Sequence, residues 1–111
     1  MESLHLFVYG TLAPGRPNHH LLANLGGTWA AATLRGRLVD EGWGAEQGYP
    51  GIIPDPSAPP VAGHLLSTPE LASSWSMLDE FEGPGYVRRS VAVTLESGDE
   101  VRAWVYALRT G

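Results

Sequence analysis

The sequence predicts an α+β fold, a compact bent mixed β-sheet or barrel with two or so flanking helices. Three observations predict it. An apolar run at Leu4 to Tyr9 (LHLFVY) ends at Gly10 and reads as a buried first strand. Tyr86 to Leu95 and Glu100 to Leu108 read as two strands joined across Glu96-Ser97-Gly98-Asp99 as a hairpin. The helices interrupt the strands without a regular βαβ alternation, which argues for a mixed sheet over a parallel one.

The remaining elements follow in order. GTLAPGRPN, with two glycines and two prolines, reads as loop. Asn18 is a candidate cap for a short helix from about His19 to Leu25, closed by Gly26-Gly27. Thr28 to Val39 supports one or two strands, with Gly36 as a candidate bulge. Residues 40–60 read as mostly irregular, apart from a short strand at Tyr49 to Ile53, and Val61 to Leu66 is a further strand. Thr68 is a good N-cap, Pro69 fits the first helical position, and Glu70 suits the positive end of the dipole. That helix should run to about Glu82 and stop at Gly83-Pro84-Gly85.

A length of 111 residues fits one domain, residues 1–111, with no linker or internal repeat. With 43% hydrophobic and 17% charged residues the chain is too apolar for disorder. A net charge of −5 lacks the basic stripe a phosphate backbone demands, so no nucleic-acid partner is expected. There is no cysteine, hence no disulfide and no thiolate nucleophile, and all seven basic residues are arginine, which excludes a Schiff-base lysine. No segment approaches the ~20 apolar residues of a membrane helix, and the start lacks a signal-peptide pattern, so a cytoplasmic location is expected. Oligomeric state is not readable.

One carboxylate falls on the wrong face of its helix. With Leu71 at zero and ~100° per residue, Trp75 lies near ~40°, Leu78 near ~−20° and Glu82 near ~20°. Glu82 therefore sits inside the apolar stripe, whereas Glu80 points to the opposite side. Desolvation against Trp75 and Leu78, together with the negative end of the helix dipole, should raise its pKa toward neutrality. Such a group can accept and then donate a proton at physiological pH. The structural alternatives are a frayed last turn that swings Glu82 into water, or an ion pair with an arginine such as Arg88. At the other candidate site, Tyr9-Gly10-Thr11-Leu12 leaves the first strand through a glycine. Its amides could form a nest for a carboxylate or an oxyanion, though strand-glycine-loop is also a common structural device.

Taken together these residues resemble the γ-glutamylcyclotransferase-like superfamily, in its short branch related to γ-glutamylamine cyclotransferase and the plant avirulence-induced proteins. The resemblance covers almost the whole chain: FVYGTL at Phe7 to Leu12, GRPNHHLL at Gly15 to Leu22, YPGIIP at Tyr49 to Pro54, VAGHL at Val61 to Leu65, LDEFEGPGYVRR at Leu78 to Arg89, and AWVYAL in the closing strand. It implies a pocket at one end of the barrel, with Tyr9, Gly10, Thr11 and Leu12 binding a small-molecule γ-glutamyl substrate. It implies Glu82, the glutamate before glycine in LD-x-x-E-G, as the proton acceptor, and release of 5-oxoproline from a γ-glutamyl amide without metal or cofactor. Tyr86 and Tyr106 are candidate pocket hydroxyls, with buried strand tyrosines as the structural alternative. Two departures stand out: Leu66 where many members have Tyr, and His64 where an acidic residue is common. His64 otherwise reads as an exposed strand residue. A non-catalytic metabolite-binding module is the competing reading. A histidine metal site from His19, His20 and His64 is disfavoured, because adjacent histidines do not present both rings to one face.

Overall fold

In the run predicted as the first strand, Leu6, Phe7 and Val8 are buried because a core packs on each face of the strand, and strands pair with both its edges. The structure, a computed structural model, describes residues 4–10, 14–15, 19–39 and 51–109. Strand β1 (Leu4–Val8) lies between β4 (Pro60–Thr68), antiparallel, and β6 (Glu100–Leu108), which runs parallel to it. Beyond β6 comes β5 (Tyr86–Leu95), and beyond β4 comes β2 (Thr28–Val39) with β3 (Gly51–Pro54) at its end. Pairing of Ala32 with Leu95 and Thr33 with Thr94 joins β2 to β5 and closes five strands into a barrel. Among the described residues only the β1–β6 pair is parallel, so the sheet is mixed as predicted.

Alternation along the strands sorts side chains into two cores. Phe7, Leu34, Ile52, Leu65, Val93 and Val105 fill one. Leu6, Val8, Leu66, Tyr106 and Leu108 belong to the other, where Leu22, Leu71 and Leu78 of the helical segments pack. The hairpin is as predicted, with Gly98 at φ 93° in the turn and the Leu95 N–H bonded to the Asp99 carbonyl at 2.9 Å.

Three expectations are corrected. The segment 28–39 forms a single strand, within what was expected, but Gly36 is not the bulge it was a candidate for. Gly36 stays in register opposite Pro54, at the point where β2 exchanges β4 for β3. The first helix, α1, is shorter than expected (His20–Ala23), and its N-cap is His19, with no side-chain cap bond. The proposed cap Asn18 lies outside the described residues, as does Tyr49 at the start of the expected third strand.

The predicted long helix is two pieces: a 3-10 turn at Pro69–Ser73 and helix α2 at Trp75–Glu82. Thr68 does cap it, its hydroxyl accepting from the Glu70 N–H at 3.2 Å. The break comes from two adjacent serines. The hydroxyls of Ser73 and Ser74 both donate to the Glu70 carbonyl, at 3.1 and 3.0 Å, in competition with the helical ladder. The Ser74 N–H consequently turns back to Leu71. Leu71 is still fully buried, so the apolar stripe survives the break.

Gly63 permits the tight approach of β4 to β1. A Cβ there would press on the Val8 carbonyl and the Phe7 ring. Gly63→Ala should therefore overpack this seam and lower the unfolding free energy by about 1–3 kcal/mol. Denaturant unfolding checks this, and an unchanged midpoint would contradict it.

Candidate active site

Glu82 is the last residue of α2, where Gly83, at φ 80°, ends the helix. The inward placement predicted from the helical wheel is observed: Glu82 is only 9% exposed, while Glu80 is on the solvent side. Desolvation by burial pushes its carboxyl up to about 7, the direction expected from the sequence.

One turn earlier on the same helix, Asp79 behaves in the opposite way. Its side chain is 46% exposed, and the Arg88 guanidinium bonded to it holds its carboxyl below the usual carboxylate range. The Arg88 Nε and Nη2 donate to the two Asp79 oxygens at 3.1 and 3.3 Å. Arg88 also lies 4.3 Å from the Trp75 ring centroid and 5.2 Å from that of Trp104. Arg88, the arginine that the sequence offered as a partner for Glu82, is bonded to Asp79. Two carboxyls three residues apart on one helix are thus pushed in opposite directions.

Tyr9 and Gly10 follow β1, while Thr11 and Leu12 of the predicted binding loop lie outside the described residues. The Tyr9 hydroxyl donates to the Tyr106 carbonyl at 2.8 Å and accepts from the Ile52 N–H at 3.1 Å. Its ring stacks on Phe7, centroids 6.3 Å apart. Burial raises the Tyr9 phenol well above its ordinary value, the bond from the Ile52 N–H opposes this, and charge on Glu82 and Tyr86 adds smaller upward contributions. Tyr106 is 4% exposed, and its hydroxyl donates to Asp79 Oδ1 at 2.6 Å. Its phenol is raised by burial first, then by that bond, with a smaller contribution from Glu82. Tyr86 is also buried.

A cleft of about 590 Å³ opens beside the end of α2, lined by Asp79, Gly83, Tyr86, Arg88, Tyr106 and Arg109 among others. Arg109 is held there by its bond to the Pro84 carbonyl at 2.9 Å. Tyr86 and Tyr106 line this cleft, whereas Glu82 and Tyr9 are not among the residues that line it; Glu82, buried at the end of α2, bears on Tyr9 and Tyr106 through its charge. Sequence reasoning missed the Asp79–Arg88–Tyr106 cluster, although an acid one turn before Glu82 and an arginine just past the glycine turn were its visible signal. His64, expected to be exposed, is half-buried on β4, and among the described residues its Nδ1 is a buried nitrogen with no hydrogen-bond partner. His19 instead packs against Trp29, centroids 5.1 Å apart. Among the described residues no three His, Cys, Asp or Glu side chains gather to hold a metal, and no helix is long and apolar enough to cross a membrane.

The sequence profile of the γ-glutamyl cyclotransferase, AIG2-like family matches residues 6–110. The chain belongs to this family. Among its relatives is the γ-L-glutamyl-butirosin B γ-glutamyl cyclotransferase of Niallia circulans, 34% identical over 107 residues. That match covers 92% of this chain, which spans 65% of the relative's length. The γ-glutamylaminecyclotransferase of Rattus norvegicus is 34% identical over 124 residues, covering 96% of this chain and 78% of its own. Among solved structures, an AIG2-like protein from Mus musculus superimposes with a TM-score of 0.72 at 31% identity, covering 100% of this chain and 80% of its own. The barrel with its helices is thus the fold of this family.

The raised carboxyl of Glu82 fixes a pH dependence of stability. Its folded pKa of about 7 lies above the ordinary 4.5, so the native state binds the extra proton between those values. Stability should fall as pH rises from about 4.5 to about 7, by up to about 3 kcal/mol, and then level off. Glu82→Gln should remove this loss, stabilising the protein at pH 8 and changing little at pH 4. Denaturant unfolding at the two pH values measures it, and an equal effect at both would contradict it.

Proposed function

We propose that this chain is a γ-glutamyl cyclotransferase that cleaves a γ-glutamyl amide by intramolecular attack, releasing 5-oxoproline and the free amine. The observation that carries the reading is the buried carboxyl of Glu82 at the end of α2, raised to about 7. Membership of the γ-glutamyl cyclotransferase family supports it, as do two relatives whose names state that chemistry.

A γ-glutamyl amide carries its own nucleophile. The α-ammonium first loses a proton to the ionised Glu82, and the freed amine attacks the γ-carbonyl carbon to close a five-membered ring. Amide N–H groups of the loop at Gly10 meet either the tetrahedral oxyanion or the substrate's α-carboxylate. Glu82 then protonates the leaving nitrogen as its bond to carbon breaks. The carboxylate so regenerated takes the second proton from the ring nitrogen. Two protons leave the α-nitrogen and two reach the departing amine, so the reaction needs no covalent enzyme intermediate and no redox partner. A carboxyl titrating near neutrality suits both transfers, because neither direction is strongly uphill.

Incubation with γ-glutamyl amines and dipeptides in ¹⁸O-water, with mass detection, tests the reaction class. The expected product is unlabelled 5-oxoproline. Labelled glutamate would mean hydrolysis, and tight binding with no product would mean a metabolite-binding module. Glu82→Gln should lower kcat by about 10²–10⁴-fold with near-native binding. The wild type should lose kcat/KM below about pH 7 as Glu82 becomes protonated before it can accept.

A further inference from the structure

We infer that Tyr9 and Tyr106 form a positioning brace, whose hydroxyls set the distance between the loop at Gly10 and the helix that carries Glu82. This rests on the cyclotransferase reading, and it leaves neither hydroxyl a proton to donate to substrate.

The hydrogen bonds are already committed. The Tyr9 hydroxyl has one proton, and it goes to the Tyr106 carbonyl at 2.8 Å. The same oxygen accepts from the Ile52 N–H at 3.1 Å. Tyr106 spends its proton on Asp79 Oδ1 at 2.6 Å, a bond strengthened by the charge on the acceptor.

The connectivity gives the brace its reach. Strands β3 and β6 are not ladder partners, yet Tyr9 ties a β3 amide to a β6 carbonyl. It does so from the residue immediately before Gly10, so the start of the loop is pinned to two strands at once. Tyr106 is the shared node. Its carbonyl holds the loop side through Tyr9, and its phenol holds α2 through Asp79, one turn before Glu82. Arg88 locks Asp79 from the other side, itself stacked against Trp75 and Trp104. The path from loop to base is therefore Gly10, Tyr9, Tyr106, Asp79, Glu82, with defined hydrogen bonds at the two steps that cross between chain segments.

A brace differs from a pair of independent structural bonds. If the two links act in series, breaking either one frees the loop relative to the base, and breaking the second adds little. A misplacement of about 1 Å is enough to cost ~10²-fold in rate.

The test uses Tyr9→Phe, Tyr106→Phe and the double variant, which keep the rings and their packing. Wild-type release of 5-oxoproline is measured first, and its absence would overturn the cyclotransferase reading alone. Each single variant should lose about 10- to 100-fold in kcat/KM, mostly in kcat and equally across different leaving amines, and the double should match the worse single within about threefold. Hydrogen exchange of the Ile52 amide, which needs no substrate, should speed up about tenfold or more in Tyr9→Phe. Unchanged exchange at Ile52 would overturn the brace, whatever the activity. So would multiplicative losses in the double variant, or a loss confined to one class of leaving amine, which would mark a hydroxyl that touches substrate.

Discussion

A carboxyl group with nine-tenths of its residue out of water is expensive to ionise, and the geometry around the site follows from tolerating that cost at Glu82. The helix needs its apolar stripe against the sheet, and residue 82 falls within that stripe one turn after Leu78. Burial moves the carboxyl up to about 7. No cationic partner is required for this shift, and a close one would abolish it by holding the charged form. Arg88, on the strand that follows the helix, is paired with the exposed carboxylate of Asp79.

The same division of labour explains the tyrosines. A buried phenol needs a partner, and at this site the partners are backbone groups and Asp79. Tyr9 satisfies an amide of β3 that its ladder with β2 does not use, and Tyr106 satisfies a carboxylate oxygen on α2. These bonds join the barrel rim to the helix without placing another charge beside Glu82. Rigidity and the raised carboxyl are therefore compatible.

Much of this was legible in the sequence because it depends on periodicity and on turn chemistry. The inward face of Glu82 follows from its spacing to Leu78 and Trp75, and the hairpin follows from Ser97-Gly98-Asp99 between two strand-like runs. The break at Ser74 was not legible, because it depends on two serine hydroxyls choosing the same carbonyl over solvent. Gly36 looked like a bulge because local sequence cannot tell a bulge from a change of partner, which only strand order defines. The assignment of Arg88 to Asp79 and of Tyr9 to Tyr106, 97 residues apart, lives in tertiary contacts that leave no periodic trace. His64 read as exposed from strand alternation, and the closed sheet half-buries it.

The titration of the Glu82 side-chain carboxyl, followed by ¹³C NMR and assigned with Glu82→Gln, probes the buried charge most directly. A midpoint near 7 in the free protein, well apart from the other glutamates, is the expected result. A midpoint at the ordinary value near 4.5 would show the carboxylate solvated, and the proton-transfer role would go with it.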